Sequence, residues 1–187
     1  MKKILVSFFV FMIATATVAY AANRILALRG TTIAFSDSVT PALTLSALAA
    51  GTGCTTACTR CSAQYTKTGA NVKSNRWEMR VGARLTGTNV LNETVEYYVS
   101  TSDGTNTQGN IATTNSTIDI NKRKNLTSAG VLVVDQTTTN TLMVAVFRDI
   151  IIDEVAFQVC VSNQTTLPFE TGTASYVKMT PMDIEVQ

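Results

Sequence analysis

Four cysteines are the residues of this chain best suited to chemistry. Cys54, Cys58 and Cys61 fall within eight residues of polar sequence, and Cys160 stands about a hundred residues further on, in a strand-like run. A thiolate cluster with one distant ligand can close the tetrahedron of a zinc site. Such sites usually pair two C-x2-C hooks, however, and here the second hook is a lone cysteine. An even cysteine count behind an export-type N-terminus reads more naturally as two disulfides. Three close cysteines cannot pair completely among themselves, so one must reach Cys160. Cys61 is the candidate, because it opens the strand-like stretch Ser62 to Thr66, which leaves Cys54 for Cys58. In the loop-entropy picture the long bridge closes about a hundred residues and contributes on the order of 4 to 5 kcal/mol.

The C-x3-C-x2-C spacing also resembles the cluster-binding motif of radical SAM enzymes. That chemistry needs a large barrel of alternating strands and helices, and this chain has neither the helices nor the length. Histidine is absent altogether. Its absence removes the usual general base at neutral pH, the Ser-His and Cys-His nucleophile pairs and the commonest metal ligand. No paired-carboxylate site and no phosphate-cradling glycine loop can be identified. The reading is therefore a non-enzymatic protein with no catalytic residue, no metal and no cofactor. Lys122-Arg123-Lys124, between Asn121 and Asn125, is the densest basic run. It offers an anionic contact to phosphate, lipopolysaccharide or an acidic neighbour, and equally suits a solvated loop tip. Asp149, Asp153 and Glu154 lack the every-other-residue oxygen spacing of a calcium loop. The Asn-x-Ser/Thr sequons at Asn92, Asn115, Asn125 and Asn163 are about as many as chance provides in a chain this rich in those residues.

The elements that must position these groups are strands. The 187 residues are 45% hydrophobic and 15% charged, with a formal charge of only +2, which excludes disorder and gives no strong field towards nucleic acid. Threonine is about one residue in six, a bias that suits a pleated surface. Trp77, Met79, Val81, Ala83 and Leu85 alternate with Arg76, Glu78, Arg80, Gly82 and Arg84, so one face is apolar and the other charged. Trp77 therefore reads as core. Val95, Tyr97 and Val99 repeat the pattern, as do Val155, Phe157, Val159 and Val161, and Tyr176 to Met179 opens a last strand. Thr31 to Phe35 and Leu43 to Leu48 add candidates near the front, the second equally readable as a helical turn. Gly130 to Val134 reads as a short buried run. Leu142 to Phe147 is apolar on both faces, which places it centrally, with Val144 in the core. Eight or so short strands with polar turns predict an all-β fold, a single antiparallel β-sandwich with jelly-roll-like or Ig-like connections.

Residues 1–21 read as a signal: Lys2 and Lys3 precede an apolar run, and Ala19-Tyr20-Ala21 offers a small-x-small cleavage pattern. An uncleaved anchor or an assembly-buried segment is the alternative. Residues 22–30 read as an N-terminal arm, apolar at Ile25 to Leu28, and residues 31–187 as the sandwich.

Several segments together resemble tailed-bacteriophage virion structural proteins, small β-rich capsid-associated or decoration-type chains. They are Thr32 to Phe35, Leu43 to Gly51, Glu93 to Tyr98 with the polar stretch Ser100 to Asn110, Gly130 to Val134, and Thr180 to Gln187. The resemblance implies a virion location and a structural role through protein–protein contacts with capsid or other virion proteins, or by self-assembly. It implies no direct nucleic-acid contact and no small-molecule substrate. The cysteine-rich loop and the export-type N-terminus depart from that pattern. They favour the alternative of a secreted or cell-surface sandwich, adhesin-like or a fibre subunit. In either case edge strands and an apolar arm predict a homo-oligomer or part of a larger assembly.

Overall fold

Period-two alternation sorts the chain into strands whose apolar faces must cover one another. The computed structural model describes residues 25–55 and 57–186, so the signal-like segment lies outside the described residues. The strands are β1 (Ile25–Arg29), β2 (Ile33–Phe35), β3 (Thr59–Cys61), β4 (Tyr65–Thr66), β5 (Arg76–Arg84), β6 (Thr94–Ser102), β7 (Ser116–Thr117), β8 (Thr127–Val133), β9 (Leu142–Ile151), β10 (Ala156–Asn163) and β11 (Tyr176–Val186). The helical pieces among the described residues are three 3-10 turns at Gly69–Lys73, Gln108–Asn110 and Ile120–Asn125.

Two antiparallel sheets result. In the first, β1 and β2 share one side of β11, followed by β5 and then β9 at the far edge. In the second, β3 and β4 share one side of β10, with β7 outside β3; β6 and then β8 lie on the other side. Taking β1 with β2 and β3 with β4 as single interrupted strands and leaving out the two-residue β7, the pairing of the eight strands is nested: first with last, second with seventh, third with sixth, fourth with fifth. That is the jelly-roll form of the sandwich, which decides between the two connection patterns left open by the sequence.

The core lies between the sheets. Trp77, Met79, Val81, Val95, Tyr97, Phe157 and Val159 are buried in it as expected. Phe157 is its hub, with ring centroids 5.1 Å from Trp77, 5.4 Å from Tyr65 and 6.1 Å from Phe35. The Trp77 indole N–H, which burial would otherwise leave unpaired, donates to the carbonyl of Ser74 at 3.1 Å. Leu43 to Leu48 is neither strand nor helical turn. It is a loop that lays Leu43, Leu45 and Leu48 into the core, held by the Asp37 carboxylate accepting from the backbone N–H groups of Leu45 and Ser46.

Three expectations are corrected. Leu142 to Phe147 belongs to an edge strand: Met143, Ala145 and Phe147 face inward while Leu142, Val144 and Val146 face solvent, so Val144 is 50% exposed and outside the core. Gly130 to Val134 ends in another edge strand, with Leu132 and Val134 buried but Val131 and Val133 exposed. An apolar run on both faces marks a central strand only where a neighbour covers each face, and here none does. Finally, Ile25–Arg29 of the expected arm adds to its own chain as β1, from Ile25 opposite Val186 to Arg29 opposite Met182. Arg29 also donates to both Glu78 carboxylate oxygens, at 3.0 and 3.2 Å.

Because stability rests on the hub and not on the edge, Phe157→Ala is expected to lower the unfolding free energy by about 3 to 5 kcal/mol. Val144→Ala should change it by no more than about 0.5 kcal/mol. Denaturant midpoints of the two variants check the contrast.

Candidate functional site

Strand β10 is buried on both faces, although only one faces the core. On the outer side Gln158, Cys160 and Ser162 are polar or cystine-bonded, so each needs a partner. Cys160 stands opposite Cys61 in the β3–β10 ladder and is disulfide-bonded to it, while Cys54 pairs with Cys58. The cysteines are therefore staples, and the zinc arrangement is not formed. The Gln158 amide donates to the carbonyls of Ser62 at 2.5 Å and Ala112 at 2.9 Å. The Ser162 hydroxyl meets Thr59, Arg123 and Gln164 at 2.8, 3.2 and 2.7 Å.

Two of these partners, Ala112 and Arg123, come from the long connection between β6 and β8, which folds over the second sheet as a roof. Ile111, Ile118 and Leu126 of the roof pack on Cys61, Cys160 and Tyr98 as a second small core. Arg123 fastens it by an ion pair to Glu96 at 2.7 Å, and Tyr98 donates to the same Glu96 oxygen at 2.7 Å. Its neighbours are engaged locally, Lys122 on the Asn110 carbonyl and Lys124 on the Asn121 side chain. Within the run Lys122, Arg123, Lys124 the two outer cations are exposed and Arg123 alone has a carboxylate partner. Arg123, its central cation, is a structural fastener. Asn163 is likewise committed, buried and donating to the Ala49 and Leu167 carbonyls, so its sequon is closed in the folded chain.

The outer face of the first sheet is bare by comparison. Its grid is read from the ladders: Lys178 lies opposite Arg80, which lies opposite Val146, and in the next row Tyr176 lies opposite Gly82, which lies opposite Val144. The Tyr176 ring rests on Gly82, where any Cβ would collide with it, and Lys178 sits 5.1 Å above that ring. Arg29 and Arg148 share Glu78, while Arg84 pairs with Glu170 and Arg76 with Asp149. Among the described residues neither Arg80 nor Lys178 has a carboxylate partner.

Beside this face runs an apolar edge. Of the eleven exposed large hydrophobic residues among the described residues, six (Val131, Val133, Leu142, Val144, Val146 and Ile151) are on β8 or β9. These free edges of the two sheets lie side by side, as the Phe147 ring of β9 packing on Gly130 of β8 requires. At one end of the sandwich, Thr101, Ser102, Asp103, Asn106, Thr107, Gln108 and Glu154 line an open polar cleft of about 300 Å³. Asp153 is exposed next to Glu154. Hydrogen bonds from Asn106 and Thr105 hold the Asp103 carboxyl below the usual carboxylate range. Sequence reading missed the Arg80–Lys178 row and the apolar edge, because both depend on which strands are neighbours.

Compared with known proteins, the chain matches no family model and no curated sequence. Among solved structures it is similar to a carbohydrate-binding module ("CBM4 structure and function") at 8% identity and a TM-score of 0.29. The alignment covers 68% of this chain and 61% of that one, so this chain spans less than two thirds of the neighbour's length.

Two outcomes follow from the stapled roof. Loop length predicts that Cys61→Ser with Cys160→Ser costs about 4 to 5 kcal/mol and Cys54→Ser with Cys58→Ser about 2 kcal/mol, measured by denaturant unfolding. Non-reducing peptide mapping should link Cys160 to Cys61. Burial, then the hydrogen bond to Glu96, pushes the Tyr98 hydroxyl up to about 12, and burial pushes Tyr97 higher still. The unfolded chain releases these protons near pH 10, so above that the folded state binds more protons and stability falls as pH rises. Between about pH 10 and 12, Tyr98→Phe should roughly halve that decline, read from unfolding free energies measured at each pH.

Proposed function

We propose that this protein is a non-enzymatic structural component of a larger assembly, of the capsid-associated or decoration type in a phage virion, acting through protein–protein contacts. The observation that carries the reading is the apolar edge formed by β8 and β9. Exposed edge strands present unpaired N–H and C=O groups, and folded proteins commonly blunt them with charge or cover them. Here Leu142, Val144 and Val146 stand exposed along a stretch of β9 that contains no charged residue until Arg148. Such a surface suits burial against a neighbour, by strand addition or face packing. A chain without histidine also suits a role in which no proton is moved near neutral pH.

The two disulfides favour a second reading, a secreted or cell-surface sandwich protein, because such bridges persist in oxidising compartments. The experiment separates the two. Wild-type protein should co-purify with particles, while Val131→Lys with Val144→Lys stays folded by circular dichroism and loses incorporation at least about tenfold. Recovery in the culture medium or on cells, with none in particles, would replace the virion reading by the second.

A further inference from the structure

We infer that the bare outer face of the first sheet is a docking face for a second copy of this chain, and that the occupant is the acidic end of the sandwich around Asp103, Asp153 and Glu154. Like charges directly opposite one another on neighbouring strands oppose the pairing. Arg80 and Lys178 are placed so, both exposed, with no carboxylate among the described residues. The other cations of that face each touch a carboxylate: Arg76 pairs with Asp149, Arg84 with Glu170, and Arg29 and Arg148 share Glu78. The described residues supply this row with no counter-charge, which a docked partner can provide.

The chain carries that counter-charge at its own end. Asp103 and Glu154 line the open cleft and Asp153 adjoins it. One buried cation, Lys67, donates to the Ile152 carbonyl at 2.5 Å and lies within electrostatic reach of Asp153 and Glu154, offsetting one of the three charges. The three carboxylates are exposed and still in excess. The cleft wall of threonine, asparagine and glutamine leaves room for long cationic side chains and their water. A face meeting an end is a heterologous contact, which propagates from copy to copy as a ring or a row. Phosphate polyanions are the weaker match, because the row is flanked by Val144 and Val146 and holds only two free cations.

The inference rests on the assembly reading only for its biological setting, since it is tested on the purified protein alone. Sedimentation equilibrium should show concentration-dependent self-association at low ionic strength. That association should be lost at about 1 M salt, where the screening length is about 3 Å. Arg80→Glu with Lys178→Glu, and separately Asp153→Lys with Glu154→Lys, should each weaken association at least about tenfold, and mixing the two variants should restore it. All four positions are exposed, and thermal unfolding reports whether the fold is kept. A wild-type monomer at every concentration, association unchanged by either double substitution, or no restoration on mixing would overturn the inference. Retention of the protein on heparin or duplex DNA through Arg80 and Lys178, without self-association, would assign the row to a polyanion instead. Particle incorporation lost with self-association intact, or the reverse, separates this contact from the β8–β9 edge.

Discussion

The structure depends on burying β10 from both sides. A strand sandwiched between core and roof must satisfy every backbone and side-chain polar group without water, and an unmatched one costs on the order of 1 to 3 kcal/mol. β10 meets most of the demand with ladders to β3 and β4 on one side and to β6 on the other, the Gln158 side-chain oxygen being the exception. On its inner face Phe157, Val159 and Val161 enter the core. Gln158, Cys160 and Ser162 on its outer face reach carbonyls, a disulfide and hydroxyls. The roof is a consequence of that need. Its small apolar core and the Arg123–Glu96 pair are what keep water off the outer row.

From this follows the asymmetry of the molecule. The second sheet is closed, with Arg123 paired to Glu96 to hold the roof. The first sheet is open, because β5 and β11 present charge and Tyr176 outward where none of the described residues covers them. Nested jelly-roll pairing sets where the edges fall. With the fourth and fifth strands paired and the third with the sixth, β8 and β9 both end their sheets on the same side of the sandwich, where Phe147 packs on Gly130 and both strands expose aliphatic residues. The same nesting brings the turn after β6 beside the turn before β10, which assembles the acidic cleft from residues fifty positions apart.

Much of this was legible in the residues themselves. Alternation at Trp77 to Leu85 and at Val95 to Val99 placed strands and their inner faces, because side chains in a strand point alternately to opposite sides. Cys61 as partner of Cys160 followed from a count of four and a neighbouring strand-like stretch. The charged outer row of β5 was visible too, as was the burial of Trp77. The sequence by itself thus determined the all-β class, the core residues of the central strands and the disulfide framework, all local properties of composition, period and parity. Only the tertiary structure decided which strands are neighbours. Neighbourhood made Leu142 to Phe147 an edge strand, drew Arg123 down onto Glu96, and set Lys178 opposite Arg80. An apolar run looks the same whether or not another strand covers it, and a basic residue looks the same whether its partner is water or a carboxylate many residues away. Those distinctions arise from long-range register, which no window of sequence contains.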